Sequence, residues 1–236
     1  MMKRMLMFGV FCGFILTLAW VSMAGPVPAV GSLPAADQLW QEKSYQLAVD
    51  QFRALLADAD QPPAVTAEAR FKLADSLWRA GGTAQEKESE ALLLEIIKGE
   101  TPDRWRAEAR ESLAEFYLGK DRWDHQQEII DLLLAARDFW AGATDLDLAR
   151  PRFLRASFTL ADFLSKDWGW HYQGIRPTAI SAGRYPAADQ QLYGLEVLYD
   201  EVLRVAQSAA DKASAHYGLA MSLANGQGGA DRQEEA

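Results

Sequence analysis

A five-residue pattern recurs along the chain and limits its fold more tightly than any other feature. In order, the copies read AADQL from Ala35, LADSL from Leu73, LAEFY from Leu113, LADFL from Leu160 and LAMSL from Leu219. Four of the five carry an alanine four residues before the first position, at Ala69, Ala109, Ala156 and Ala215. Two copies agree further back, with AEAR at residues 67–70 and again at 107–110. Apolar and small residues therefore fall at i, i+4, i+5 and i+8, a single stripe at helical period. Ala36, Ala74, Ala114, Ala161 and Ala220 sit in mid-stripe, where a side chain no larger than a methyl lets a second helix approach closely.

Each early copy is followed by a short polar turn and a second amphipathic stretch. After the first copy, Tyr45, Ala48, Phe52 and Leu55 fall at i, i+3, i+7 and i+10; after the third, Trp123, Ile130 and Leu133 share one frame. The unit is thus a helix pair. Motif starts are separated by 38, 40, 47 and 59 residues. The last interval predicts an insertion over residues 165–186 between the two helices of the fourth unit. The second helix is then expected to resume at Ala188, burying Leu192, Leu195, Tyr199 and Val202. A smaller insertion is expected from Phe139, between the third and fourth units.

A small residue in the first helix, an aromatic opening the second, then alanine and phenylalanine along it: in this the chain resembles the tetratricopeptide family. The first and third units match best, while the second has Thr83 in place of the aromatic and the third has Gln126 in place of an alanine. The resemblance implies an all-α, right-handed α-solenoid of helix pairs over residues 35–224, in which each unit buries its apolar face only against its neighbours. The family period is about 34 residues, so the first two intervals need only longer loops. Sparse β-branched residues and abundant Leu, Ala, Glu, Gln and Arg agree with helix. The polar, glycine-rich stretch 225–236 is expected to be disordered.

At the other end, Lys3 and Arg4 precede an apolar run through Trp20, and Ser22 and Ala24 stand at cleavage spacing. This reads as a signal peptide over residues 1–24, followed by a linker over 25–34, and places the mature protein in the periplasm or outside the cell with no membrane segment. The alternative is an uncleaved anchor, since the run approaches bilayer length. Phe11 before Cys12 does not suit lipid attachment. Cys12 is the single cysteine, so the mature chain has no disulfide, thiol nucleophile or cysteine metal site. Formal net charge is −9, and losing Lys3 and Arg4 takes it to −11 (−9 − 2). That charge repels phosphate backbones and argues against nucleic acid as a partner.

Enzyme chemistry finds little support. His125, His171 and His216 lie in separate units with no metal-ligand spacing, and no phosphate-cradling loop or serine-hydrolase elbow occurs. No catalytic residue, metal or cofactor is expected. Carboxylates do recur: Asp37, Asp75, Glu115 and Asp162 hold one position in four successive motifs. The repeat resemblance turns that position toward a concave groove. Two readings follow, a row that receives a basic segment of a protein or peptide partner, or solvated charge with Asp75–Arg79 and Asp162–Lys166 as i,i+4 pairs. Neither keeps a carboxyl dry. Trp40 and Trp78 follow their motifs directly and serve either inter-helix packing or a ligand platform. The family's carboxylate clamp of lysine and asparagine is replaced here by acidic and aromatic residues, so a receptor for C-terminal tails is not implied.

The insertion carries Trp168, Trp170, His171 and Tyr172, then Arg176 and Arg184. A long loop of this kind either binds or seals an apolar flank. Residues 160–203 also resemble the helical N-terminal region of bacterial envelope proteins of the alpha-2-macroglobulin type. The chain lacks that family's β-domains and thioester cysteine, so the resemblance implies at most the N-terminal arm of a larger protein. The leading expectation is a non-enzymatic protein-binding scaffold, with that arm and a cell-wall glycan-binding protein or enzyme as alternatives.

Overall fold

The computed structural model describes residues 31–168, 172–185 and 193–227. The expected signal peptide, Trp170, His171, Leu192 and the last nine residues lie outside them. Within them the protein is all-α, with nine α-helices. These are α1 (Leu33–Gln41), α2 (Tyr45–Leu56), α3 (Pro63–Ala80), α4 (Thr83–Lys98), α5 (Asp103–Gly119), α6 (Gln126–Gly142), α7 (Leu146–Phe163), α8 (Leu195–Val205) and α9 (Ala209–Ser222). All five motif copies begin in odd-numbered helices, and the even-numbered helices occupy the intervals. Each helix packs on the next in sequence, while α3 also touches α1 and α5. Helices α1, α3 and α5 therefore form a row through which distant motifs meet, and α7 reaches it through Arg152 to Glu108 and Arg155 to Glu111.

The stops between helices are written locally. Gly81 and Gly82 adopt φ of 83° and 99°, left-handed backbone that breaks α3 from α4 at little cost to glycine. Pro63 opens α3, where a missing N–H costs nothing. Asp145 caps α7 by accepting from Leu148 N, and Ser208 caps α9 by accepting from Asp211 N.

Burial follows the stripe. Ala36, Ala74 and Ala114 are fully buried and Ala161 nearly so, within two apolar clusters. One joins α1, α2 and α3 around Val49, Phe52, Leu55 and Leu77; the other runs from α3 to α9. Ala114→Leu is expected to force α4 and α6 away from α5 and to destabilise the fold by about 1–3 kcal/mol. Urea denaturation checks this; an unchanged midpoint would mean that the alanine stripe does not set the helix spacing.

Several boundaries differ from expectation. Residues 139–142 belong to α6 and Leu146 already begins α7, so the third interval is lengthened by the turn over 120–125 and by a longer run of α7 before its motif rather than by an insertion from Phe139. Trp123 precedes α6 in a turn and is 60 % exposed, outside the buried frame of Ile130 and Leu133. Helix α8 starts at Leu195, just after Tyr193 in an isolated antiparallel bridge to Ile175, and Ala188, the expected restart of the second helix of the fourth unit, lies outside the described residues. Leu195, Tyr199 and Val202 are buried as expected. Helix α1 begins at Leu33, inside the expected linker, and a π-helical turn at Leu223–Gln227 continues α9 into the expected tail.

Residues 176–181 of the insertion are tied down by one buried ion pair. Arg137 of α6 and Glu201 of α8 are both fully buried and paired. Glu201 also accepts from Thr178 N at 2.7 Å, from the Thr178 hydroxyl at 3.0 Å and from Ser181 Oγ, while Arg137 donates to the carbonyl of Arg176. Burial works to strip the charge from Arg137, and the facing Glu201 carboxylate opposes that. These bonds fold the described part of the insertion back onto α6 and α8.

Candidate functional site

The recurring acidic position becomes a lattice along the odd-helix row. On α3, the Asp75 side chain is 3 % exposed and accepts from Trp40 Nε1 of α1 at 2.8 Å, Arg79 Nε at 2.9 Å and Ser112 Oγ of α5 at 2.8 Å. One helix earlier, Asp37 pairs with Lys72, whose ammonium also bonds Glu68 at 2.6 Å and lies 5.1 Å from the centre of the Trp40 ring. One helix later, Glu115 pairs with Arg79 at 2.7 Å. Trp78 Nε1 donates to Ser112 Oγ at 3.0 Å beneath the Arg79 guanidinium. Apart from the bonds of Asp75 to Arg79 and Glu68 to Lys72 within α3, the partners lie 34 to 37 residues apart, so these bonds join neighbouring units.

Four odd helices meet at one cavity of about 80 Å³. Helix α1 contributes Trp40; α3 Phe71, Asp75 and Arg79; α5 Glu108, Ser112 and Glu115; α7 Arg152 and Arg155. Two further carboxylates reinforce it. Glu111 is 2 % exposed and binds Trp140 Nε1 at 2.5 Å and Arg155 Nε at 2.8 Å, tying α5 to α6 and α7. Glu108, also 2 % exposed, sets Oε2 at 2.7 Å from Arg152 and leaves Oε1 without a hydrogen-bond partner. Burial pushes the Glu108 carboxyl up to about 7 against the pull of Arg152, and it raises Glu111 as well. At Arg155 burial favours the neutral form, but the neighbouring Glu111 carboxylate outweighs it and holds the charge more firmly.

The expected site residues thus divide. Asp75, Glu115 and Trp40 converge on the cavity, with Asp37 and Trp78 in the adjoining lattice. Asp162 does not join them: it is exposed and, among the described residues, bonded only to Lys166 and Ser165 of its own turn. The bond from Ser165 reaches its backbone carbonyl. Contrary to the expectation that no carboxyl is dry, Asp75, Glu108, Glu111 and Glu201 are buried. In the insertion, Trp168 is 43 % exposed and meets Tyr172 edge-on at 5.8 Å, Tyr172 is half-buried and Arg176 exposed. Trp170 lies outside the described residues.

Sequence reasoning passed over Glu108, Glu111, Arg152 and Arg155. One signal was present: the repeated AEAR puts Glu68 and Glu108 in register, and it puts Ser112 where the earlier unit has Lys72. Glu108 therefore lacks the lysine that satisfies Glu68. Comparison of the chain with protein-family models, curated proteins and solved structures returns no match.

Proposed function

We propose that this chain is a non-enzymatic, tetratricopeptide-like solenoid of the periplasm or extracellular space that binds a protein or peptide segment along its odd-helix row. One observation carries the reading: side chains from α1, α3, α5 and α7 converge on a single cavity and are held by their own hydrogen bonds. A surface ordered in advance lowers the entropy lost when a flexible segment docks. Its charge favours a basic segment. Asp37, Glu68, Asp75, Glu108, Glu111 and Glu115 outnumber the cations that face them, Lys72, Arg79, Arg104, Arg152 and Arg155.

Panning a random heptapeptide display library on the native chain tests this. Enriched peptides should carry lysine or arginine and weaken about tenfold or more with Glu115→Lys, since a like charge now faces them. Circular dichroism checks that the variant keeps its helices. No enrichment, or binders indifferent to both Glu115→Lys and Trp40→Ala, would overturn the reading.

A second reading, glycan binding, is favoured by the exposed indoles of Trp123 and Trp168, 60 % and 43 % accessible. It requires heat on titration with cell-wall glycan fragments that Trp168→Ala removes.

A further inference from the structure

The repeat supplies its own template for a ligand. In the second unit the Lys72 ammonium is shared by Asp37 and Glu68. The register that aligns residues 67–75 with 107–115 places Glu108 at the position of Glu68 and Ser112 at that of Lys72, and the motif places Asp75 at that of Asp37. Both carboxylates of the template are therefore present one unit on, while the lysine is replaced by a short hydroxyl; Ser112 Oγ, Trp40 Nε1 and Arg79 Nε already serve Asp75, so the missing ammonium is felt at Glu108. Asp75 and Glu108 line the same cavity, and Glu108 Oε1 is buried with no hydrogen-bond partner among the described residues.

We infer that this cavity is a socket for the ammonium of a lysine side chain donated by the bound segment, which takes the place that Lys72 holds in the preceding unit. This rests on the proposed function and names the chemistry its partner must present. A buried carboxylate oxygen left unpaired is costly, and an ammonium donor both satisfies and neutralises it. The arginines at the rim, Arg79, Arg152 and Arg155, are already engaged by Asp75, Glu115, Glu108 and Glu111. Among the described residues no group of acids and histidines has the arrangement to hold a metal ion.

Proton linkage gives the socket a pH dependence. The charged groups facing Glu108 are Arg104, Glu111 and Glu115 on α5, Arg152 and Arg155 on α7, and Asp75 and Arg79 on α3; α1 presents only Trp40. Burial sets Glu108 near 7, so it is mostly ionised at pH 8 and mostly protonated at pH 6. An ammonium binds the ionised form, and its affinity should fall about tenfold from pH 8 to pH 6.

The test titrates the full chain with Nα-acetyl-lysine methylamide and its norleucine, arginine and alanine counterparts, following the Trp40 indole N–H by NMR. The lysine compound should give a saturable shift that weakens about tenfold from pH 8 to pH 6, and the norleucine compound none. Glu108→Gln should weaken binding about tenfold or more and flatten the pH profile, and Ser112→Lys should abolish binding by filling the socket from within. Equal response to norleucine, tighter binding of arginine, no pH dependence, or full binding by Ser112→Lys would each overturn the inference. Should Glu108→Gln fail to fold, the pH profile of the native chain decides. Peptides selected by panning separate the two claims: binders that lose affinity with Glu115→Lys but keep it when every lysine becomes norleucine leave the groove standing and remove the socket.

Discussion

Glu201→Ala is expected to lower stability by about 3–5 kcal/mol, because it strands the fully buried Arg137 guanidinium without its counter-charge. The same carboxylate accepts the Thr178 amide, the Thr178 hydroxyl and Ser181 Oγ, so four donors lose their acceptor together. At about 2–4 °C per kcal/mol for a chain of this size, the thermal midpoint should drop by roughly 6–20 °C. The insertion should loosen first. Trypsin should cut after the exposed Arg184 faster than the helices melt, since residues 178–181 are tied to α8 through Glu201. Adding Arg137→Met to Glu201→Leu removes both charges and should recover part of the loss, leaving the Thr178 and Ser181 donors unsatisfied. A double variant no more stable than Glu201→Ala would show that the ion pair is not what anchors the insertion.

Asp75→Ala should cost about 2–4 kcal/mol, from loss of the acceptor for Trp40 Nε1, Arg79 Nε and Ser112 Oγ at an almost fully buried position. Its effect on the odd-helix row should exceed its effect on the rest of the fold. Trp40 loses its only hydrogen bond to α3, and Arg79 keeps only Glu115. The Trp40 indole resonance should move toward that of a solvent-exposed ring while far-ultraviolet circular dichroism stays helical at 25 °C. Asp75→Asn retains an acceptor oxygen and should cost less than half as much. Equal losses from Ala and Asn would mean that charge with Arg79, rather than the three-way hydrogen bonding, dominates at this position.

The helices themselves were legible. Motif copies spaced by 38 and 40 residues located α1, α3 and α5, because an alanine stripe at helical period has one way to be buried. Boundaries were less so. Residues 139–142 look like a loop on account of Gly142 and the turn-forming stretch after it, yet burial of Trp140 and its bond to Glu111 carry α6 through them. A leucine-rich amphipathic pattern likewise gives no warning that Tyr193, two residues before α8, pairs with Ile175 across the insertion.

Burial of charge divides the two levels of information most clearly. Local sequence determined that Asp75 has Arg79 four residues on and that Asp162 has Lys166, and both pairs form. It also determined which residues share a repeat position, since register is a property of the chain alone. Only the tertiary structure decided that Asp75 is dry while Asp162 stays in water. Asp75 lies where α1, α3 and α5 close on one another, whereas Asp162 ends a helix beside an insertion. It decided likewise that Glu108 takes its cation from Arg152, 44 residues away, with one oxygen and not the other. The physical reason is range: helix periodicity fixes neighbours within about one turn, but desolvation depends on every element that packs around a group, and the order of those elements is set by the fold.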